Sequence, residues 1–287
     1  MLSIDANAVT YFVDRHIDEG RADKCAYIEA ETGRALSYGA MAKGAATVAG
    51  ALAQAGIRPE ERAAMLVLDQ VEFPQIFWGA IKAGVVPVAL NTLLATSVYD
   101  VILRDCRAVI LFVSAPLWEV VAPAIADNPY LRQVVVIGDG PEGTMPYEVF
   151  VKDAPPQPTL PVNADEVAFW LYSSGSTGQP KGVAHVHAAL RATADTYGAQ
   201  VLRITENDVV LSAAKFFFAY GLGNELTFPL SVGATSILFT GRPTPQGMID
   251  TIATHDPTIF CGVPTLYAAM VAHMDNTTAL AANLRTC

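Results

Sequence analysis

Residues 63 to 89 read AAMLVLDQVEFPQIFWGAIKAGVVPVA, and this stretch decides the fold class. The short apolar run AAMLVL at 63–68 predicts a buried strand. Phe73 to Ala83 predicts a helix that ends at Gly84, and Val85 to Ala89 predicts a second buried strand. Strands that are apolar on both faces and alternate with helices are typical of a parallel sheet covered by helices.

The same alternation continues on both sides of this stretch. Further helices are predicted at 37–55, 97–105 and 187–199, and further strands at 108–113, 134–137, 166–172, 209–213, 235–239 and 258–261. The Pro-rich, polar stretch DAPPQPTLP at 153–161 predicts a linker between two lobes. We therefore predict an α/β protein with two lobes, residues 1–160 and 161–287, each built on a parallel sheet covered by helices.

Composition limits the class of function. The 287 residues suffice for one large α/β domain or two smaller ones, and 52% apolar with 16% charged residues is typical of a globular protein. The formal net charge of -10 argues against nucleic acid or an anionic membrane as partner. The four cysteines (Cys25, Cys106, Cys261 and Cys287) show no CxxC pair or metal-ligand spacing, which predicts reduced thiols in a cytoplasmic protein.

The sequence predicts neither a signal peptide nor a membrane span. The N-terminus reaches a charge at Asp5 without an apolar region, so we expect no signal peptide. The apolar stretch 108–126 carries Glu119 and two prolines, which favours a strand followed by a helix over a membrane span. Residues 283–287, NLRTC, read as the beginning of a strand, and we expect a longer protein to continue from it.

The segment Tyr172 to Gly182, YSSGSTGQPKG, is the most informative for function. Its glycines let the backbone approach a ligand, and successive exposed N–H groups form a nest for an anion. Hydroxyl side chains add donors, and a lysine supplies a compact positive charge. A bare Ser/Gly loop favours a flexible turn between a strand and a helix, but the ordered Pro180 and Lys181 favour phosphate binding. The candidate phosphate-binding residues are Ser173, Ser174, Gly175, Ser176, Thr177, Gly178 and Lys181.

This segment is not the GxxxxGK[ST] loop, because Gly182 follows the lysine. It resembles the signature loop of the adenylate-forming enzymes, which include acyl-CoA synthetases, peptide-synthetase adenylation domains and luciferases. WGAIKAGVVPVALNT at 78–92 is similar to a structural part of the first lobe of that family. The resemblance implies the family's large N-terminal domain. It also implies ATP and CoA as substrates, with Mg²⁺ at the triphosphate and Thr177 as its candidate ligand.

The resemblance implies a two-step reaction. A carboxylate attacks the α-phosphate of ATP and releases pyrophosphate, and a thiol then displaces AMP. Family members also carry a YGxTE-like motif, a ribose-binding aspartate, a hinge and a small C-terminal domain with a catalytic lysine, none of which occurs in this chain. We therefore assign no catalytic residue here and expect residues 1–287 alone to be inactive. An inactive, truncated nucleotide-binding remnant is the alternative from another class.

Two later segments indicate which carboxylic acid is activated. KFFFAYGLGN at 215–224 and GVPTLYAAM at 262–270 resemble benzoate-CoA ligases and their hydroxybenzoate relatives, with Phe218 where the wider family often has histidine. The resemblance implies activation of benzoate or hydroxybenzoate, with aminobenzoate or a medium-chain fatty acid as alternatives. Gly221 and Gly223 would leave room for the acid or the thiol. The implied acid-pocket residues are Phe218, Ala219, Tyr220 and Gly221, with Tyr267 as either pocket wall or core.

The residues alone leave other interpretations open. Three consecutive phenylalanines are more often core than pocket, so at least one of Phe216 and Phe217 is a predicted core residue. No histidine is assigned a catalytic role. His185 and His187 are predicted to be satisfied polar residues or caps, and His16, His255 and His273 to be surface or element-end residues. Ring substituents, CoA contacts and oligomeric state are left open.

Overall fold

A computed structural model describes residues 2–174, 179–274 and 282–287, with Ser174 described by its backbone only. The chain forms two compact units. Unit 1 comprises Met1–Asp14, Ala42–Leu68 and Glu72–Leu190, and unit 2 comprises Arg15–Met41, Asp69–Val71 and Arg191–Cys287. Within these described ranges, no helix is long and apolar enough to cross a membrane.

Each unit contains one sheet and its covering helices. The strands are β1 (Cys25–Glu29), β2 (Ala35–Ser37), β3 (Arg62–Leu66), β4 (Val86–Ala89), β5 (Ala108–Ser114), β6 (Gln133–Ile137), β7 (Met145–Pro146), β8 (Val167–Ser174), β9 (Pro180–Val186), β10 (Val209–Ser212), β11 (Thr235–Leu238) and β12 (Ile259–Cys261). The α-helices are α1 (Arg15–Asp18), α2 (Tyr38–Gln54), α3 (Glu72–Lys82), α4 (Thr96–Cys106), α5 (Trp118–Ile125), α6 (Tyr147–Val151), α7 (His187–Thr193), α8 (Ala219–Gly221), α9 (Phe228–Val232), α10 (Pro245–His255) and α11 (Pro264–His273). A 3₁₀ turn lies at Ala115–Leu117, and π-helical segments lie at Thr10–Asp14, Ala194–Leu202 and Leu222–Thr227.

The sheet of unit 1 has the described strand order β7-β6-β5-β3-β4-β8-β9. Its pairs are parallel except β8 with β9. The central strands β3 and β5 are buried along almost their whole length. Helices α2 and α3 are followed by Gly56 and Gly84 at φ +70° and +72°, where the absence of a Cβ permits the left-handed turn. The predicted α/β class with parallel strands is confirmed.

The sheet of unit 2 has the order β12-β10-β11-β1-β2. Its parallel strands β10, β11 and β12 follow the prediction closely, but the sequence analysis missed β1 and β2. β1 pairs in parallel with β11 through Tyr27↔Ser236, so its partner lies about 200 positions away in the chain. A local pattern cannot reveal the pairing of β1 with β11, because its stabilisation comes from a remote strand, whereas β2 pairs with β1 close by in sequence, through Ile28↔Ala35.

The stretch at 153–161 does not join the two units. It lies inside unit 1, where the Gln157 N–H donates to Ala46 O of α2 at 3.0 Å and the Leu160 N–H donates to Lys82 O of α3 at 2.9 Å. Its prolines favour extended backbone but do not reveal what that backbone packs against. Unit 1 then continues to Leu190 because β8 pairs with β4, so the compact units do not divide the chain at residue 160.

Residues 282–287 lie in unit 2, and their placement agrees with the predicted beginning of a strand. Thr286 forms a parallel bridge with Ile259, and the Phe260 N–H donates to Thr286 O at 3.0 Å. The Arg285 guanidinium donates to both oxygens of Asp208, at 2.8 and 2.7 Å. This ion pair anchors the segment beside β10 and β12.

Arg285→Ala is expected to lower the free energy of unfolding by about 1–2 kcal/mol at pH 7, since Arg285 is partly exposed and Asp208 is buried. Burial alone would raise the pKa of Asp208, but hydrogen bonds from Arg285 and Thr258 hold it below its usual range. A carboxyl group whose pKa is depressed in the folded state stabilises the protein fully above its unfolded-state pKa of about 4. This stabilisation is lost as the pH falls from there through the folded-state pKa. The difference in unfolding free energy between parent and variant should therefore narrow below about pH 4.

Urea unfolding from pH 7 to pH 3.5 measures this gap. It is done in the full-length gene product, meaning the complete natural protein that contains residues 1–287. Arg191→Ala is the control because its i,i+4 pair with Asp195 is exposed, and it should cost less than about 0.5 kcal/mol. A gap that stays constant across the pH range would show that the Asp208 ion pair is not its origin.

The prediction that His16 is a surface or element-end residue is wrong with respect to burial. His16 is fully buried in unit 2, its Nε2 lies 2.6 Å from Leu230 O, and its ring centroid lies 4.4 Å from that of Tyr38. Burial lowers its pKa to about 4, so the ring is neutral. The partner carbonyl belongs to α9, far along the chain, which is why local sequence did not reveal it. His255 and His273 are the last residues of α10 and α11.

Candidate functional site

The described parts of the predicted phosphate-binding segment belong to two antiparallel strands, β8 and β9, rather than to a loop leading directly into a helix. β8 and β9 pair antiparallel, with Ser173 opposite Lys181 and Ser174 opposite Pro180. β9 then leads into α7 at His187. The missed signal is the short run GVAHV at 182–186, whose two valines favour a strand and which lies between the predicted loop and the predicted helix.

This pairing places two of the candidate residues on one face. Residues directly opposite in an antiparallel pair project from the same face of the sheet, with Cβ atoms about 4.5–5.5 Å apart. Ser173 and Lys181 are such a pair, and both are exposed. They lie at the carboxyl end of β8, which runs parallel to β4. Ligands of open parallel α/β sheets bind at this end of the strands.

Some of the candidate residues lie outside the described part of the chain. These are Gly175, Ser176, Thr177, Gly178 and the side chain of Ser174. Their assignment to phosphate, and that of Thr177 to a metal ion, stay predictions.

The third glycine of the segment has a structural role in the hairpin. Gly182 lies opposite Tyr172, and a Cβ at Gly182 would come within 3.1 Å of the Tyr172 ring. The Tyr172 hydroxyl donates to Asp105 Oδ2. Gly182 thus leaves space for an aromatic ring rather than for a ligand.

The two histidines near this hairpin make different contacts within unit 1. The His185 ring stacks on Phe169 with 4.6 Å between ring centroids. His187 is buried, and its Nδ1 accepts from the Ala8 N–H at 3.2 Å. Burial lowers the pKa of both rings. His187 has the hydrogen bond expected of a satisfied polar residue, whereas the contact of His185 is ring stacking.

The predicted acid-pocket segment lies in unit 2, after the carboxyl end of β10. Phe216 and Phe217 are buried, at 0% and 3% exposure, whereas Phe218 is 46% and Tyr220 is 43% exposed. The structure therefore separates core from surface within this run, and both Phe216 and Phe217 are core. Phe218 has an extended backbone (φ −100°, ψ 142°) immediately before the short helix α8, and its partly exposed ring packs on that of buried Phe217 with 4.5 Å between ring centroids.

Two tyrosines meet the backbone at the end of β12. The Tyr220 hydroxyl donates to Gly262 O at 3.4 Å. The Tyr267 hydroxyl accepts from the Gly262 N–H and donates to Phe260 O, both at 3.0 Å. Half-buried Tyr267 also packs its ring edge-on against Phe260. Tyr267 therefore supports the strand end, while Tyr220 lies above it with its ring partly open to solvent.

Gly221 and Gly223 do not leave open room for a ligand. A Cβ at Gly221 would lie 2.1 Å from Lys215 O, and one at Gly223 would lie 2.8 Å from the Phe228 ring. Both glycines are buried and permit close packing of the protein on itself. The open side of the segment is formed by Phe218, Ala219 and Tyr220, all of which are exposed.

Three ionisable groups at this segment, Cys261, Tyr220 and Tyr267, are neutral near pH 7. Burial raises the pKa of the Cys261 thiol to about 12. Burial raises the pKa of Tyr267 to about 12 and also that of Tyr220. Cys261 is thus a thiol rather than a nucleophilic thiolate, and the two phenols remain hydrogen-bond donors.

The sequence analysis missed a set of buried charges beneath the segment. Asp69, Lys215 and Glu225 lie together in unit 2, and Glu225 is 0% exposed. The sequence carries only a weak signal for this set of buried charges. Lys215 and Glu225 are the only charged residues in the mostly apolar run 213–230. Within the described ranges, no group of three or more His, Cys, Asp or Glu side chains could hold a metal ion.

The chain belongs to the AMP-binding enzyme family, which it matches over residues 13–287. It is similar to the 4-hydroxybenzoate–CoA/benzoate–CoA ligase of Rhodopseudomonas palustris, with 44% identity over 99% of this chain and 52% of that relative. The benzoate–CoA ligase of Thauera aromatica is 43% identical over 98% of this chain and 53% of its own length. These matches confirm the family predicted from the sequence.

Solved structures support the same fold. A benzoate CoA ligase from Burkholderia xenovorans LB400 superimposes with a TM-score of 0.87 at 41% identity, over 98% of this chain and 54% of that chain. The fold is therefore that of the N-terminal domain of adenylate-forming enzymes. The chain spans about half the length of the relatives it matches.

Proposed function

We propose that this chain is part of an ATP-dependent acid–thiol ligase that activates benzoate or a hydroxybenzoate. A carboxylate oxygen of the acid attacks the α-phosphorus of ATP, and pyrophosphate leaves. The CoA thiol sulphur then attacks the acyl carbon, its proton is lost, and AMP leaves as aryl-CoA forms. ATP enters with Mg²⁺, which shields the triphosphate charge.

The observation that carries the proposal is the exposed pair Phe218 and Tyr220, set between buried residues, in a chain whose relatives are benzoate–CoA ligases. A flat aryl ring suits such walls, because aromatic pairs add about 0.5–1.5 kcal/mol beyond their burial. Ser173 and Lys181, on one face at the end of β8, supply a hydroxyl and a positive charge for the phosphates.

The proposal also includes a setting and partners. The reaction consumes ATP and CoA, and the chain's four cysteines are free, so we place it in the cytoplasm. Its partners are the small molecules of the reaction. The net charge of -10 disfavours nucleic acid and anionic membranes.

An acid panel on the full-length gene product tests this proposal. We expect ATP-dependent pyrophosphate release with benzoate and 4-hydroxybenzoate, and aryl-CoA when CoA is added. Their kcat/KM should exceed that for 2-aminobenzoate and for hexanoate by about tenfold or more. A preference for hexanoate would refute the aromatic pocket and leave the adenylation chemistry standing. Absence of pyrophosphate release with every acid would refute the ligase proposal itself.

A further inference from the structure

Three ionisable side chains of unit 2 are largely buried around the segment that carries Phe218 and Tyr220. The side chains of Asp69 and Lys215 are only 3% and 12% exposed, and Glu225 is 0% exposed. Taking charges out of water is costly unless they are paired and hydrogen-bonded. Such a buried cluster is therefore expected to have a role other than stabilising the fold.

Asp69 is attached to the beginning of the segment. Its Oδ1 accepts from the Phe216 N–H at 3.4 Å, and its Oδ2 lies 3.8 Å from Lys215 Nζ. Lys215 Nζ also donates to Phe239 O of the chain after β11. The Asp69 backbone is held in turn, because Thr240 Oγ1 donates to Asp69 O at 3.2 Å. Two consecutive residues, 215 and 216, are thus fixed by one carboxylate.

Glu225 holds the other end of the segment. Its Oε1 accepts from the Ser212 N–H at the end of β10, at 3.1 Å, and its backbone oxygen accepts from Ser236 Oγ at 2.9 Å. Glu225 Oε2 and the neighbouring Asn224 Oδ1 are buried and have no hydrogen-bond partner among the described residues. The two anchors bracket residues 216–224, which include the exposed aromatic pair.

The charge balance of the cluster is uneven. Two carboxyl groups share one ammonium group, so they cannot both be ionised at low cost. Burial, and next the charge of Asp69, raise the pKa of Glu225 well above its ordinary value. The favoured state is an Asp69–Lys215 ion pair beside a neutral Glu225, which fits a carboxyl oxygen that lacks a cationic partner.

We infer that Asp69, Lys215 and Glu225 are positioning residues that set the shape of the acid pocket by holding the backbone that carries Phe218 and Tyr220. This inference rests on the proposed function, since it assumes that the exposed pair contacts the acid. None of the three side chains reaches the exposed face, so their effect on substrate acts through the segment.

The test compares Asp69→Asn with Asp14→Asn in the full-length gene product. Both break a Lys–Asp pair with a buried lysine, because Lys82 of unit 1 donates to Asp14 at 2.8 Å with only 7% of its side chain exposed. Asp69→Asn should lower the benzoate-to-hexanoate ratio of kcat/KM by about tenfold and leave KM for ATP unchanged. Asp14→Asn should leave that ratio within about twofold of the parent. Glu225→Gln should shift the ratio in the same direction as Asp69→Asn by a smaller factor, and it replaces Asp69→Asn if that variant does not fold.

Amide hydrogen exchange gives a readout that does not depend on activity. Asp69→Asn should speed exchange at 212–225 by about tenfold or more without a similar change in unit 1. Faster local exchange with an unchanged benzoate-to-hexanoate ratio of kcat/KM would mean that the cluster has only a structural role, and it would overturn the inference. Unchanged exchange would overturn it as well. A parent enzyme that activates neither acid would refute the proposed function and the pocket role with it, while exchange would still report whether the cluster holds the segment.

Discussion

Replacing Lys181 with alanine in the full-length gene product is expected to slow adenylation by roughly 10- to 150-fold, with the fold intact. The factor corresponds to one charge-assisted hydrogen bond of about 1.5–3 kcal/mol to a phosphate. Lys181 lies on the exposed face of β9 opposite Ser173, so truncation leaves no cavity and unpairs no described buried group. The measurement is acid-dependent pyrophosphate release under saturating acid.

Lys152→Ala is the matched control, because Lys152 is also an exposed lysine of unit 1 and follows helix α6. It carries the same loss of positive charge from a protein of net charge -10, which separates a local contact from long-range attraction of ATP. Equal and small losses in both variants would mean general electrostatics. An unchanged rate for Lys181→Ala would mean that the hairpin end is only a turn.

Phe218→Ala is expected to change the choice of acid more than the overall rate. Phe218 is 46% exposed, with its ring centroid 4.5 Å from that of buried Phe217, so truncation removes a wall above the core rather than a core residue. Apolar discrimination is worth about 1–3 kcal/mol per methylene-sized change. The ratio of kcat/KM for benzoate to that for a bulkier substituted or branched acid should therefore fall by about 5- to 150-fold.

The ratio is the correct measurement because it cancels general damage to the enzyme. Tyr130→Ala serves as control, since Tyr130 of unit 1 is exposed to a similar degree, at 40%. If both acids lose activity in parallel, Phe218 supports the segment and does not contact the ring. If the parent prefers hexanoate, the aromatic-acid proposal fails before any variant is made.

The sequence by itself determined the fold class and most of the elements. Apolar runs such as 63–68 and 108–113 lie close to β3 and β5, and Gly56 and Gly84 mark where α2 and α3 stop. These signals are local, because burial on both faces requires apolar residues and a left-handed turn favours glycine. The motif at 172–182 likewise indicated the family without any knowledge of pairing.

Only the tertiary structure decided which strands pair and which side chains face outward. β9 pairs with β8, and β1 pairs in parallel with β11, which lies about 200 positions further along the chain. Phe216 and Phe218 are the same residue type two positions apart, yet one is buried and the other is 46% exposed. Asp69 accepts from the Phe216 N–H across 147 positions of sequence. The physical reason is that pattern and propensity report on burial and turn geometry one element at a time. Pairing partners and buried ionic contacts depend on groups that only the folded chain brings together.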